Sequence, residues 1–190
     1  MFVSKGSKKK YRTGILYTHP SIDSYEQTVA QCKAAVEKAD INDLKDSGIA
    51  NFNIVSGNNK SLIYTCITST VCTDESKKLE MIQFLYENGV SPSSITTDGL
   101  TCIMQAVAGK YVDIFKWLLQ HAPDTLHNKD ILERDAIHHA IFEYAKLEKQ
   151  EQNAKLEEEK KAILDILKCF DKHMLRPTHT KFATTLGVRS

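Results

Sequence analysis

The chain has 190 residues, of which 42% are hydrophobic, and its 25 Lys and Arg against 24 Asp and Glu give a formal net charge of +1. This length allows one domain, or a short stack of repeats with tails, and is sufficient to bury a core. A net charge so close to zero excludes the strong positive field of a general nucleic-acid binder. The sequence has no run of about eighteen apolar residues that could span a membrane, and residues 1–14 lack the apolar core of a secretory signal. We therefore expect a soluble, intracellular protein that does not contact a membrane.

The two ends of the chain differ in composition from the middle. Residues 1–24 are predicted to form a basic, extended arm, because residues 1–12 carry several cations, among them Lys8, Lys9 and Lys10, and no acid. Residues 25–172 show apolar side chains at helical spacing, broken by short runs of Gly, Asn, Ser and Asp, with no convincing alternating strand pattern. Residues 173–190 are irregular and are predicted to form a second arm. The predicted fold class is all-α.

One segment of the helical region aligns with itself. Residues 79–89, LEMIQFLYENG, match residues 112–122, VDIFKWLLQHA, position for position at a spacing of 33 residues. Between them, residues 98–106 read DGLTCIMQA. Gly99 permits a tight turn there, and Thr101 can cap the helix that follows. This block resembles the signature of the ankyrin-repeat family, D-G-x-T-P-L-H-x-A, with Cys in place of Pro and Met in place of His.

The resemblance implies a solenoid of helix-turn-helix units, and the register extends in both directions. Residues 38–48 look like the second helix of an N-terminal capping repeat that ends at Gly48. Gly48 precedes Leu62 by fourteen residues, the same offset as from Gly89 to Ile103, so we align Leu62 with Ile103. The distance from Gly48 to Gly89 exceeds the period, and the extra residues are predicted to form an insert loop at 68–78. Residues 136–140, AIHHA, and 162–170 complete about four repeats or partial repeats.

The last repeat departs from the family pattern. Its connection is too long, and residues 143–161 are charged and contain neither Gly nor Pro. We predict a helical extension over 143–161, formed by two lengthened helices with a turn near residues 150–153. One continuous helix is the alternative. The charges could form a plain solvated face or a projection that binds a partner.

No chemistry is predicted for this chain. It has no phosphate-binding loop, dinucleotide fingerprint, zinc-protease motif, nucleophile elbow or EF-hand loop. Adjacent His138 and His139 point to different sides of a helix and cannot share a metal ion, and His121 and His127 flank a loop without a convergent acid or thiol. We predict no catalytic residue, no cofactor and no metal site, and therefore no enzyme.

The cysteines follow neither a disulfide nor a zinc pattern. They are odd in number, scattered, and never arranged as CxxC, which favours reduced and mostly buried thiols. They are Cys32, Cys66, Cys72, Cys102 and Cys169.

The resemblance to ankyrin repeats implies where a partner would bind. Proteins of this family bind unrelated partners through their turn tips and through the concave face formed by the first helices. The turn-tip candidates in this sequence are Asn58, Asn59, Lys60, Thr96, Thr97, Asp98 and Leu100. The concave-face candidates are Tyr64, Met104, Gln105, Ala108 and His139. Exposed Tyr64 and Met104 would be the most informative of them, because large apolar side chains on a surface favour a partner.

The leading hypothesis for function is a structural or adaptor subunit of a large intracellular assembly in the cytoplasm, with a cytoskeletal or ciliary particle as one candidate. In this hypothesis the repeats dock one neighbouring protein and the arms run along others. Lys8, Lys9 and Lys10 could also contact an acidic polymer surface, either microtubule or RNA, through counterion release. The alternative is a free regulator, an inhibitor or a microbial effector that masks a partner protein. Nucleic-acid binding through the arms is the weakest reading.

Overall fold

The computed structural model describes residues 22–49, 51–150 and 154–173, with side chains described for residues 26–49, 51–150 and 154–170. Most of both predicted arms, including Lys8, Lys9 and Lys10, lies outside the described residues. The exceptions are residues 22–24, which begin the first helix, and residue 173, which ends the last, so the prediction of irregular arms was wrong at these positions. Eight helices and two short strands form the described chain. They are α1 (Ile22–Lys38), α2 (Ile41–Asp46), β1 (Val55–Ser56), β2 (Lys60–Ser61), α3 (Leu62–Thr68), α4 (Glu75–Glu87), α5 (Cys102–Ala108), α6 (Val112–His121), α7 (Ala136–Glu148) and α8 (Ala154–His173). The mostly helical class predicted from the sequence is confirmed.

A short polar side chain caps the first helix of each of three successive helix pairs, that is, α3, α5 and α7. The hydroxyl of Ser61 accepts a hydrogen bond from the backbone N–H of residue 64, and that of Thr101 from residue 104. The carboxylate of Asp135 does the same for residue 138. Each cap satisfies one of the backbone donors that a helix start leaves unpaired, and such a cap is worth about 1 kcal/mol.

The helices pack in two layers. In one layer α3 contacts α1 and α5, and α5 contacts α7; in the other, α4 contacts α6 and α6 contacts α8. One continuous apolar core lies between the layers, and it includes the completely buried side chains of Ile63, Ile103 and Phe115. Each pair of helices therefore buries its apolar faces against its neighbours, which is why a single pair would not be stable alone.

Two tight turns of extended chain precede α3 and α5. β1 and β2 form a two-residue antiparallel ladder, in which Val55 pairs with Ser61, and an isolated antiparallel bridge joins Ile95 to Thr101. The sequence did not predict these strands, because two residues are too few to show an alternating pattern.

The predicted insert loop at 68–78 is shorter in the structure. Helix α3 continues to Thr68 and α4 begins at Glu75, so the loop comprises residues 69–74. The prediction was wrong for Thr68, which ends α3, and for residues 75–78. Asp74 caps α4, accepting hydrogen bonds from the backbone N–H groups of Ser76 and Lys77. Residues 69–74 are called the insert loop below.

The extension in the last repeat consists of two helices rather than one. Helix α7 ends at Glu148 and α8 begins at Ala154, with residues 151–153 outside the described chain. The two helices pack against each other, and Lys160 Nζ lies 3.5 Å from Glu148 Oε1 across the pair. Of the two alternatives drawn from the sequence, the structure contains the pair of helices.

Candidate functional site

The tips of three successive turns are tied to one another by backbone hydrogen bonds. The N–H of Thr97 donates to the carbonyl of Asn58 at 3.1 Å, and the N–H of Ile131 donates to the carbonyl of Asp98 at 3.0 Å. The side-chain amide of Asn59 adds a 2.8 Å hydrogen bond to the carbonyl of Ile95. These contacts hold residues 57–60, 96–99 and 130–133 side by side, and this set is called the turn row below.

The backbone conformation of the turn row follows from its residue types. Asn58 and Asn59 have φ of 62° and 58°, and Gly99 has φ of 75°. Asn and Gly are the residues that adopt this left-handed region at the lowest cost. A Cβ at Gly99 would lie 2.6 Å from the carbonyl oxygen of Lys129, so only glycine allows the second and third turns to approach this closely. The residue types within the turns therefore determine how closely neighbouring turns approach each other.

Most of the predicted turn-tip side chains are accessible. Those of Asn58, Asn59, Thr97 and Asp98 are exposed, and those of Lys60 and Leu100 are half-buried. Thr96 is the exception, and its prediction as a partner-binding side chain was wrong. Its hydroxyl turns inward to accept a 3.0 Å hydrogen bond from the N–H of Leu100, which closes the turn.

Sequence reasoning missed the apolar tip of the third turn. Ile131 is 71% exposed and Leu132 is 62% exposed, and both belong to the turn row. The repeat spacing could have indicated these two residues, because they lie one period after the turn at Asp98. Two adjacent apolar residues in an otherwise polar loop are unusual on a surface with no partner.

Tyr64 and Met104 were predicted to be exposed on the concave face, and both are buried. For Tyr64 the caps explain the error: the segment from Gly48 to Ser61 is one residue longer than the equivalent segment before Thr101. Ile63, not Leu62, is therefore the equivalent of Ile103. Tyr64 and Met104 occupy the same position, three residues after the cap, and point into the core.

The exposed positions of the first helices follow from the corrected register. Thr65, Gln105 and His139 each lie four residues after a cap and are half-buried. Three residues further along lie Thr68, Ala108 and Phe142, of which Phe142 is 55% exposed. These six residues form one face of α3, α5 and α7 and are called the inner face below. Gln105, Ala108 and His139, which were predicted from the sequence, are half-buried members of this face, and their binding of a partner stays a prediction. Phe142 was not predicted.

A buried carboxylate organises the third turn. Asp130 Oδ2 accepts hydrogen bonds from Arg134 Nε at 2.9 Å and lies 2.7 Å from Arg134 Nη2, while Oδ1 accepts from the N–H groups of Leu132 and Arg134. His139 Nε2 lies 3.0 Å from Oδ2. Burial raises the pKa of Asp130, but the hydrogen bonds from Arg134 and from the backbone outweigh burial and hold the pKa well below its usual range. The ring of His139 is thereby fixed, so this candidate contact residue also supports the turn.

The thiols of Cys66 and Cys102 are buried in the core. Burial raises the pKa of the Cys66 thiol to about 12 and that of the Cys102 thiol to about 11, so both are protonated and unreactive near neutral pH. No three His, Cys, Asp or Glu side chains in the described part of the chain are placed to hold a metal ion. None of the described helices is long and apolar enough to cross a membrane. The accessible features are the turn row and the inner face.

Comparison with protein families gives one match. Residues 72–119 match the family model for ankyrin repeats, which occur in many copies. The match begins in the insert loop and ends in α6, so it contains α4, the second turn of the turn row and α5. Comparison with curated proteins gives no match.

Proposed function

Because residues 72–119 match the ankyrin-repeat family model, we propose that this chain is a non-catalytic ankyrin-repeat module that binds other proteins through the turn row and the inner face. Ankyrin repeats generally mediate protein–protein interaction. In this proposal the layered helix pairs are a short ankyrin solenoid, and α7 with α8 is its lengthened last repeat. The function resides on the surface created by stacking, because the fold itself specifies no partner.

One observation carries the proposal: the hydrogen bonds from Thr97 to Asn58 and from Ile131 to Asp98 align three turns in one row. Their tips present polar side chains at one end and the exposed pair Ile131 and Leu132 at the other. A row that is rigid before binding loses little conformational entropy when a partner docks, which favours affinity. Exposed apolar side chains next to polar ones are typical of surfaces that bind a partner.

We further propose that the module is a structural or adaptor subunit of a large assembly in the cytoplasm, of cytoskeletal or ciliary type. The support comes from the sequence at its N-terminus, where Lys8, Lys9 and Lys10 lie in a segment without acids. Such a segment can attach to an acidic polymer, a microtubule or an RNA, by releasing counterions. The helical repeats would then bind a protein while the basic segment anchors the module.

Cross-linking of the native protein tests both parts. Cells that express the chain are lysed gently at low and at high salt, and each fraction is cross-linked through lysines and analysed by mass spectrometry. Lys60 and Lys129 report on the turn row, and Lys161 and Lys168 report on the exposed side of α8. We expect the protein in a particle that salt dissociates, with cross-links to neighbours from Lys60, Lys129 and Lys8 to Lys10.

A pair of matched variants ties the interaction to the turn row. Thr97→Arg places a bulky cation on the exposed tip of the second turn, and Gln83→Arg places the same group on the exposed side of α4. We expect Thr97→Arg to remove the cross-links from Lys60 and Lys129, and Gln83→Arg to leave them. If the protein instead forms a soluble one-to-one complex through the turn row, with no cross-links from Lys8 to Lys10, it is a free regulator, inhibitor or effector and not a subunit of an assembly. Cross-links from α8 alone would contradict binding through the turn row.

A further inference from the structure

A groove of about 400 Å³ lies beside the first turn, where this chain departs from a regular repeat. Lys33 and Glu37 of α1 form one side, and Thr65 and Thr68 of α3 form the floor. The insert loop closes the other side with Ser69, Thr70 and Val71, and the first turn closes the end with Ser56 and Lys60. The insert loop is held in place because Ser69 Oγ donates a 2.6 Å hydrogen bond to the carbonyl of Glu37.

Four of the five hydroxyl groups that line this groove donate their proton to a backbone carbonyl and remain as acceptors; Thr70 is the fifth. Thr65 Oγ1 donates to the carbonyl of Ser61, and Thr68 Oγ1 donates to the carbonyl of Tyr64, each at 3.0 Å. Ser56 Oγ donates to the carbonyl of Lys60 at 3.4 Å. A hydroxyl has one proton and two lone pairs, so these oxygens remain as acceptors. The floor of the groove is therefore complementary to groups that donate, such as the N–H groups of an extended peptide.

The charged groups of the groove favour an anion. Lys33 and Lys60 both line it, and among the described residues neither forms an ion pair with a carboxylate. Glu37 is the single acid in the lining, so the groove has an excess of one positive charge. The two ammonium groups would repel a basic segment, and they leave room for a carboxylate.

We propose that this groove binds an extended acidic peptide segment of the partner protein. The backbone N–H groups of the peptide donate to Thr65 and Thr68, and an Asp or Glu side chain pairs with Lys33 and Lys60. Val71, which is 65% exposed on the insert loop, contacts one of the peptide side chains that point toward this loop. The proposal rests on the proposed function, and it adds a chemical class of partner for the part of the inner face that lies beside the first turn.

The test uses blocked hexapeptides of defined charge and the whole ¹⁵N-labelled chain. The acidic probe is acetyl-Glu-Ala-Glu-Ala-Glu-Ala-amide, and the two comparison probes have Gln or Lys in place of Glu. We expect the acidic probe to shift the amide signals of Thr65, Thr68 and Val71 at low salt and the Gln probe to bind less well. The Lys probe should leave these signals unchanged.

Two sets of variants identify the groups responsible. Lys33→Glu with Lys60→Glu should weaken binding of the acidic probe about tenfold or more, since the field becomes repulsive. Lys146→Glu with Lys149→Glu makes the same change in net charge at two exposed positions, in the last turn of α7 and directly after it, and should have little effect. Thr68→Val removes one acceptor with little change in volume and should weaken binding severalfold, while circular dichroism confirms that each variant is folded.

The outcomes separate this proposal from the previous one. Equal binding of the acidic and basic probes would overturn the proposal that the groove binds an acidic peptide. Shifts of amide signals confined to residues outside the groove would overturn it too. Loss of binding in the α7 variant as large as in the Lys33 and Lys60 variant would also overturn it, because the effect would then come from net charge alone. Cross-links from the turn row to a native partner would stand in either case, because they do not depend on the hexapeptide.

Discussion

Lys78 Nζ donates a 3.0 Å hydrogen bond to the hydroxyl of Tyr111, the residue 33 positions later in the chain. Lys78 is completely buried, and its other two protons go to the carbonyls of Ile67 and Ser69 at 2.8 and 2.7 Å. The ammonium group also lies 4.6 Å from the centre of the Tyr111 ring. One buried cation thus joins the end of α3, the insert loop and the next repeat through neutral acceptors.

Lys78→Met should destabilise the protein by about 2–4 kcal/mol, because it keeps the aliphatic volume but leaves one buried and two part-buried acceptors without their donor. Urea unfolding followed by circular dichroism measures the change in the free energy of unfolding. Lys77→Met alters the neighbouring residue, which is exposed, and should change it by less than about 0.5 kcal/mol. Equal effects of the two substitutions would show that the hydrogen bonds of Lys78 contribute nothing to stability.

Glu75 links the same two repeats on the outer layer. Its Oε1 accepts hydrogen bonds from the N–H groups of Asp113 and Ile114, at 2.7 and 3.1 Å, and so caps α6 from α4. Burial raises the pKa of Glu75, and the two backbone hydrogen bonds only partly oppose it. The folded protein therefore binds this proton more tightly than the unfolded chain does. The part of the stability that comes from protonation of Glu75 is complete below the unfolded pKa and is lost as the pH rises through the folded pKa, while its cap of α6 remains.

Glu75→Gln keeps an acceptor oxygen and removes the titration. We expect the difference in unfolding free energy between the native protein and this variant to shift in favour of the native protein as the pH is lowered from 7 to 4. Glu75→Ala should cost about 1 kcal/mol at pH 7, because α6 loses its cap. Urea unfolding at several pH values measures both, and a difference that is independent of pH would contradict the raised pKa.

Asp130 should give a pH dependence of the opposite sign. Its pKa is lowered in the folded protein, so its contribution to stability is present above the usual range of an Asp carboxyl and is lost as the pH falls through the folded pKa. Asp130→Asn should cost about 2–3 kcal/mol at pH 7, since it leaves the Arg134 guanidinium without its anion. This cost should shrink as the pH is lowered below about 4. The control is Asp124→Asn, an exposed carboxyl that should cost little at any pH.

The local rules of the sequence predicted a large part of this structure. Thr101 caps α5 as expected, and Gly89 and Gly99 adopt the positive φ that a helix end and a tight turn require. The repeat spacing placed the turns and the helix pairs, because each repeat obeys the same short-range chemistry. The position of the exposed turn-tip residues Asn58 and Thr97 followed from the same spacing.

Long-range contacts could not be predicted in the same way. Lys78 lies in a run of charged residues that would ordinarily be solvated, and the carbonyls that satisfy it belong to Ile67 near the end of α3 and to Ser69 of the insert loop. Asp130 becomes a buried anion only because Arg134 and His139 converge on it in three dimensions. Tyr64 was misplaced because one additional residue before the cap shifts every side chain of a helix by about 100°.

Gly99 holds the second and third turns together, and its substitution should be more costly than that of any glycine whose surroundings are open. An added Cβ would lie 2.6 Å from Lys129 O and 2.9 Å from the Cα of Asp130, both of them backbone atoms that cannot move aside cheaply. The positive φ of 75° adds the strain of a left-handed conformation. Gly99→Ala should therefore cost about 2–4 kcal/mol and weaken binding through the turn row.

Gly89→Ala is the matched control, because Gly89 has φ of 86° but no atom within 4 Å of the added Cβ. It should cost about 1 kcal/mol, from backbone strain alone. Urea unfolding of both variants measures the difference, and equal costs would mean that the close approach of the two turns is not what requires glycine at position 99.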